Sequence, residues 1–362
     1  MSKPSVLVGM SGGVDSSVSA ALLLEAGFNV TGAYMKNWTL DVPGARCPWA
    51  DDLAFAKRTA VRLGIDFRVY DFQEAYKRDV VDYMVAEYAA GRTPNPDVMC
   101  NQEVKFGLFL QAAEEENFDF IATGHYARTE WNALEGPHAL ALPQPDRHLL
   151  RAADTHKDQT YFLYRMTQHA IDRTIFPLGN FTKPQVRELA AERNLPSANK
   201  PDSQGICFVG EASIRHFLRM YVETKPGDII HAETGKKLGA HEGAIYYTLG
   251  QRKGLNLSGG PWYVVGKDMD ANVVLVSESK ESLERGEREV ALDRTSWVAG
   301  SAPAPGRYLA RTRHTGQLAW GILEAHDSEA TFTFEEEHER VAAGQSVVLY
   351  DGDICLGGGI AR

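Results

Sequence analysis

Two cysteines stand in loops whose composition restrains them. Cys100 ends the run Thr-Pro-Asn-Pro-Asp-Val-Met-Cys before Asn101, and Pro94 and Pro96 stiffen that run and remove amide donors. Asp97 lies three residues before the thiol, close enough to exchange protons. A helical pattern follows directly, and a helix N-terminus lowers a thiol pKa. A thiol of pKa about 8.5 is only a few per cent thiolate at neutral pH, so a small shift changes its reactivity. Cys207 stands in Asp-Ser-Gln-Gly-Ile-Cys-Phe at 202–208, after Pro201 and a bend at Gly205. Taken singly, each thiol reads equally well as a packing residue, with Asn95 and Asp97 capping turns. Cys47 and Cys355 have no comparable setting and read as structural. No Cys-x-x-Cys pair exists, which argues against a zinc or iron–sulfur centre, and no residue is assigned to a metal.

A second chemical feature lies at 9–16, where Gly9, Met10, Ser11, Gly12, Gly13, Val14, Asp15 and Ser16 follow the apolar run Val6-Leu7-Val8. Gly12 and Gly13 remove side chains, so backbone amides can wrap an anion. Ser11, Ser16 and Ser17 add hydroxyls, and a helix starting near Ser16 points its positive end at the same spot. No lysine follows Gly13, as a Walker loop requires, and Gly-x-Gly-x-x-Gly is absent. Ser-Gly-Gly-Val-Asp-Ser instead resembles the pyrophosphate loop of ATP pyrophosphatases, which implies cleavage of ATP between its α- and β-phosphates and activation of a substrate as its adenylate. Adenylation turns a carbonyl oxygen into a leaving group. A persulfide sulfur can displace it, and a second thiol can release that sulfur by forming a disulfide. Such chemistry needs two cysteines and no metal cluster.

The elements that must position these groups are α/β in rhythm. Strand-like segments at Val6–Val8, Val30–Tyr34, Phe67–Tyr70 and Phe120–Thr123 alternate with helical patterns at 16–26, 50–63, 73–90 and 101–116. The rhythm predicts a parallel sheet covered on both faces, with its ligand at the carboxyl ends of the strands. Gly9, Met35 and Gly124 fall at such ends and are expected to share one site. Residues 131–148 form a polar excursion with no assigned role. Helical patterns resume at 157–167, 183–194 and 211–222. After about residue 223 short strands dominate, including one expected over Gly243–Leu249, which suggests one or two small barrels. The expected architecture is a parallel-sheet adenine-nucleotide domain over 1–210, a small β-rich domain over 211–288 and a β-barrel over 289–362. The link between the last two lies near Glu281–Glu289.

Composition narrows the classes. The chain has 362 residues, a net charge of −10 and 44% hydrophobic residues, with no apolar run of membrane-spanning length. Its N-terminus runs straight into a strand, leaving no room for a signal peptide, so a cytoplasmic location and no membrane partner are expected. The acidic balance argues against nucleic acid, but it is uneven. Arg294, Arg307, Arg311, Arg313 and His314 occur with no acid from Arg294 through Leu323. Such a strip can hold RNA on an acidic protein, although on charge alone a solvated barrel surface is the simpler reading.

Several long motifs in order make the resemblance closer. The loop at 9–16, the run at 93–101, Ala-Thr-Gly-His-Tyr-Ala at 122–127, Lys-Asp-Gln-Thr-Tyr-Phe-Leu at 157–163, the Cys207 motif, Tyr-Thr-Leu-Gly-Gln-Arg-Lys-Gly-Leu at 247–255 and Leu-Gly-Gly-Gly-Ile at 356–360 cover nearly the whole chain. Together they resemble the bacterial tRNA-specific 2-thiouridylases, which place sulfur on C2 of the wobble uridine. The resemblance implies that residues 9–16, Met35 and Gly124 bind ATP, with Mg2+ accompanying it and Asp15 a candidate to orient the ion. It implies that Asn95, Pro96 and Asp97 meet the target base, with Asp97 also handling protons. Cys207 would carry the persulfide, with Cys100 its transient disulfide partner. His125, Lys157, Asp158, Gln159, Arg311, Thr312 and Gln345 would touch tRNA, and the central domain would be tRNA-interacting. The family's basic strand is commonly Lys-Ile-Arg-Tyr-Arg, where this chain reads Leu309-Ala310-Arg311-Thr312-Arg313. The family more often has proline before the glycine preceding Gln345. A sulfur donor, either a cysteine desulfurase or a sulfur-relay protein, is the further partner implied. Two other readings share features: a ligase of the argininosuccinate or GMP synthetase type, which needs no paired cysteines, and a non-catalytic RNA-binding protein, which would release no AMP.

Overall fold

The computed structural model describes residues 3–41, 47–129, 147–201, 214–279, 288–326 and 329–362. Cys207, most of the Pro201–Gly210 loop and residues 130–146 and 280–287 lie outside them. The apolar segments of the first domain become β1 (Ser5–Gly9), β2 (Asn29–Lys36), β3 (Asp66–Asp71) and β4 (Phe120–Thr123). Short strands β5 (Arg128–Thr129), β6 (Leu149–Leu150) and β7 (Thr174–Ile175) follow. The main sheet is parallel, in the order β3-β2-β1-β4-β7. Side-chain alternation along β1 sends Val6 and Val8 into one core with Leu23, Phe28 and Ala56, and Leu7 into another with Phe109, Leu110 and Ile121. Burial on both faces explains the unbroken apolar run of β1.

The helices are α1 (Val14–Glu25), α2 (Trp49–Leu63), α3 (Gln73–Tyr76), α4 (Asp82–Ala89), α5 (Pro96–Met99), α6 (Phe109–Glu115), α7 (Thr160–Leu163), α8 (Gln168–Asp172) and α9 (Lys183–Glu192). Gly64 ends α2 at φ 68°, while the Ile65 amide donates to Ala60 O at 3.1 Å. The helices expected at 73–90 and 101–116 are not uniform. Each contains a π-helical stretch, Lys77–Val81 and Cys100–Leu108. The helix expected at 157–167 shrinks to α7, because the Asp158 carboxylate takes the Ala152 and Thr160 amides and closes a turn instead.

The second unit holds α10 (Ile214–Leu218) and the strands β8 (Gly227–His231), β9 (Lys237–His241), β10 (Tyr263–Asp268) and β11 (Val273–Ser277), ordered β10-β11-β8-β9. The strand expected over Gly243–Leu249 is a 3-10 turn, Ala244–Tyr246. Its leading amides are taken by side chains: Gly243 N–H donates to His241 Nδ1 and Ala244 N–H to Asn272 Oδ1, both at 3.0 Å.

The last unit is a closed barrel of β12 (Glu289–Trp297), β13 (Gly306–Arg311), β14 (Ala319–His326), β15 (Glu329–Phe334), β16 (Ser346–Asp351) and β17 (Ile354–Ala361). Its order is β12-β15-β14-β13-β16-β17, and pairing of β12 with β17 closes it around Leu292, Leu323, Phe332, Phe334 and Leu349. The β5–β6 hairpin of the first domain adds itself to β17, with Leu149 opposite Cys355. Strands of two residues leave no periodic trace, so this union was not legible in the sequence. No helix among the described residues is long and apolar enough to cross a membrane.

Candidate functional site

Between β1 and α1 the chain makes the turn Met10–Gly13. Gly12 adopts φ 77°, and a methyl group there would lie 2.2 Å from Asp52 O, so the turn demands glycine on both counts. The serines shape the turn. Ser11 N–H donates to Ser16 Oγ at 3.2 Å, while the Ser16 and Ser17 hydroxyls donate to Gly13 O at 3.2 and 2.8 Å. Ser17 is fully buried, so its expected role as a ligand donor gives way to holding the loop. Met10 and Val14 are buried too and offer a ligand only backbone. A methyl on Gly9 would stand 3.0 Å from Met35 Cε, and one on Gly124 would stand 2.7 Å from the Ser16 amide nitrogen. The ends of β1, β2 and β4 thus meet the start of α1. They do so where the sheet order reverses beside β1, the usual ligand crevice of such sheets.

Two lysines that sequence reasoning did not single out flank this turn. Lys183 Nζ lies 2.7 and 2.8 Å from the Asp15 carboxylate oxygens, and Tyr126 OH donates to Asp15 Oδ1 at 2.9 Å. Lys200 Nζ pairs with Asp52 at 2.5 Å and donates to Gly12 O at 3.2 Å. The lack of a lysine after Gly13 was the available signal, because a phosphate cradle without its own cation must recruit one from elsewhere.

The segment 93–101 forms a second cluster. Asn95 Oδ1 accepts from Val98 N–H at 3.3 Å and caps α5, with Pro96 at its first turn. Helical structure therefore begins a turn before Cys100, whose amide is already bonded to Pro96 O and Asp97 O. The dipole argument made for the thiol is corrected: Asp97, not Cys100, occupies the first turn. Cys100 is 2% exposed, in a cluster that joins Tyr76, Val80 and Val104 to Phe217, Ile245 and Val264 of the second unit. Burial raises the Asp97 carboxyl above its usual range, and nearby Lys105 partly opposes the shift. Burial, and then the same lysine, hold His125 well below 6.5, so its ring is neutral. His125 Nδ1 lies 2.8 Å from Thr123 Oγ1 and its Nε2 lies 3.5 Å from Lys105 Nζ. Lys105 thus links the surroundings of Asp97 to His125, next to Gly124.

The barrel reaches the same segment. Thr93 N–H donates to Ala343 O at 2.8 Å, and a methyl on Gly344 would lie 2.8 Å from Thr93 N. Gln345, the next residue, is half-buried, and Lys157 is likewise half-buried. Gln159 faces inward and its Oε1 accepts from Tyr126 N–H at 2.9 Å. Thr312 is buried, with its carbonyl accepting from Tyr161 OH at 3.1 Å.

Two of the expected RNA contacts are joined to each other. The side chains of Asp158 and Arg311 are 0% and 5% exposed and pair with each other at 2.8 Å. Freeing Arg311 for a phosphate would leave the buried Asp158 carboxylate only Arg151, 3.7 Å away, as a cation, and so incur part of the about 3–5 kcal/mol cost of breaking a buried pair. One exposed ionic contact returns only about 0–1 kcal/mol. The pair wins. The basic strip is neutralised throughout, since Arg294 meets Glu87, Arg307 meets Glu335 and Arg313 meets Glu339.

Comparison with known proteins follows this division of the chain. Family models described as the tRNA methyl transferase HUP domain, the tRNA methyl transferase PRC-barrel domain and the aminomethyltransferase beta-barrel domain match residues 4–211, 215–278 and 287–361. A Chromobacterium violaceum protein named tRNA-specific 2-thiouridylase MnmA is 45% identical over 368 residues, covering 99% of this chain and 92% of its own length. Proteins of the same name from Neisseria gonorrhoeae and Ralstonia pickettii are each 45% identical, cover 99% of this chain, and are covered over 95% and 96% of their own lengths.

Proposed function

The chain belongs to the tRNA-specific 2-thiouridylase family, and from that premise we propose how its residues divide the ATP-dependent transfer of sulfur to C2 of a tRNA wobble uridine. ATP is a substrate whose phosphates rest on the amides of 9–16, bordered by Met35 and Gly124. The fit is supported by the glycine cradle, where a methyl at Gly12 or Gly124 would strike backbone. Lys183 and Lys200 exchange Asp15 and Asp52 for phosphate oxygens. Asp15 is then open to Mg2+. No group of three or more candidate ligands exists among the described residues, so the phosphates would supply most of that ion's coordination.

Asn95, Pro96 and Asp97 receive the extruded uridine, an inexpensive step in a single-stranded loop. The uridine C2 oxygen attacks the α-phosphorus and pyrophosphate leaves. The terminal sulfur of a Cys207 persulfide attacks C2, and the C2–O bond breaks with AMP departing. The Cys100 thiolate then attacks the Cys207 sulfur, the bond between that sulfur and the transferred one breaks, and the sulfur on C2 leaves as its thiolate. The transferred sulfur stays on C2 and a Cys100–Cys207 disulfide forms. An external thiol reduces it, and a cysteine desulfurase or relay protein reloads Cys207. Asp97, whose carboxyl burial raises above its usual range, takes the uridine N3 proton as the C2 oxygen is adenylated and returns it to the thiolated base. His125, Lys157, Gln159, Thr312 and Gln345 are the remaining candidates to meet tRNA.

One observation carries this reading: all three units converge on residues 93–100. The barrel holds Thr93, the second unit packs around Cys100, and Lys105 with His125 leads from Asp97 to the phosphate loop. The test is nucleoside analysis of tRNA incubated with the protein, MgATP, cysteine and a competent desulfurase. The expected products are 2-thiouridine at the wobble position with AMP and pyrophosphate. AMP without thiolated tRNA would assign the activating domain to another acceptor.

A further inference from the structure

Asp158 does more than neutralise an arginine. Its Oδ2 lies 2.8 Å from Arg311 Nη1, on β13 of the barrel. Its Oδ1 accepts from Ala152 N–H at 3.1 Å and from Thr160 N–H and Oγ1–H at 3.3 and 2.9 Å. Its carbonyl lies 3.0 Å from His314 Nε2, so the barrel grips the residue twice. The next residue faces the opposite way. Gln159 exchanges two bonds of 2.9 Å with the Tyr126 main chain, its N–H to Tyr126 O and Tyr126 N–H to its Oε1. Tyr126 OH in turn donates to Asp15 Oδ1 at 2.9 Å, in the first turn of α1. Two covalent neighbours therefore connect the barrel wall to Asp15, through the buried Arg311, Asp158 and Tyr126 and the half-buried Gln159.

We propose that Arg311 is a positioning residue: through Asp158 it holds the Lys157–Gln159 turn against Tyr126, so that docking of the barrel sets the geometry at Asp15. Arg311 itself touches no phosphate. The proposal rests on the reading above, that residues 9–16 bind ATP and the chain binds tRNA. It separates two roles that a basic residue on an RNA-binding protein usually confounds. A phosphate ligand changes the salt dependence of binding. A strut changes a distant site and leaves that dependence alone.

The experiment measures ATP Kd by calorimetry, and tRNA Kd against salt, on the full chain and three variants. Lys157→Ala should lower the slope of log K against log salt by roughly 0.7–0.9, the value of one lost phosphate contact. Arg311→Ala should leave that slope unchanged and raise ATP Kd roughly tenfold, a typical coupling between sites. The double variant Asp158→Asn/Arg311→Gln removes both charges while allowing an amide–amide hydrogen bond. It should regain most of the ATP affinity with the wild-type slope, and it decides the matter alone if Arg311→Ala fails to fold. A slope lowered by one contact in either Arg311 variant would overturn the proposal. So would an unchanged ATP Kd in a cooperatively melting Arg311→Ala protein. Failure of the unmodified chain to bind ATP or tRNA would instead sink the functional reading on which the proposal stands.

Discussion

At the scale of single residues, the proposed chemistry turns on groups held away from water. Cys100 is nearly fully buried and one turn inside a helical run. Cys100→Ser and Cys207→Ser should each abolish thiolation while tRNA binding persists, as read by nucleoside analysis beside a filter-binding assay. Full thiolation by either variant would break the two-thiol scheme. Lys183 and Lys200 form the other residue-scale claim. Each makes charge-assisted contacts worth about 1.5–3 kcal/mol, so Lys183→Met or Lys200→Met should weaken ATP binding roughly ten- to hundredfold. Calorimetric titration with ATP checks this, and an unchanged Kd would return both lysines to purely structural ion pairs. These lysines were not legible in the sequence because their partners, Asp15 and Asp52, lie 168 and 148 residues away along the chain. The turn that leads into Asp97 and Cys100 was legible, because Pro94 and Pro96 mark it locally. The burial of Arg311 was not, since only a partner from another domain makes it necessary.

At the scale of elements, the site depends on close approaches between backbones. A methyl on Gly124 would stand 2.7 Å from the Ser16 amide nitrogen, below any real contact, so β4 and α1 would have to part. Gly124→Ala should therefore fold yet bind ATP roughly tenfold or more weakly, because the amides that cradle phosphate shift. An ATP Kd equal to that of the unmodified chain would show that the approach is incidental. The parallel sheet was readable because the apolar runs of β1, β2 and β4 and the mixed β3 are separated by helical patterns, two of them followed by Gly27 and Gly64. The exceptions have physical causes. The π-helical stretches at Lys77–Val81 and Cys100–Leu108 keep a helical pattern while changing its register, and α7 is short because Asp158 diverts two amides. The β5–β6 hairpin is too brief for any pattern, yet it ties the first domain into the barrel.

At the scale of the whole molecule, the three units of an acidic chain meet at a buried junction. Stability should follow from that burial. His125, His241 and His314 are all depressed by burial from 6.5. Below that pH the unfolded chain binds protons the native one refuses, so stability is lost as pH falls through the unfolded value. The melting temperature should decline on going from pH 7 to 5.5, and His125→Asn should flatten the decline. A melting temperature that rises on acidification would contradict this. Asp97, raised from 3.8, acts with the opposite sign between that pH and its raised value. The junction itself is tested most directly by a single turnover. Enzyme loaded with one persulfide sulfur on Cys207 is mixed with MgATP and tRNA, quenched with an alkylating agent, and analysed for nucleosides and for peptide disulfides. 2-Thiouridine and a Cys100–Cys207 disulfide should appear together, in equal amounts, as the two-thiol scheme requires. Accumulation of 2-thiouridine with both thiols recovered alkylated would contradict it.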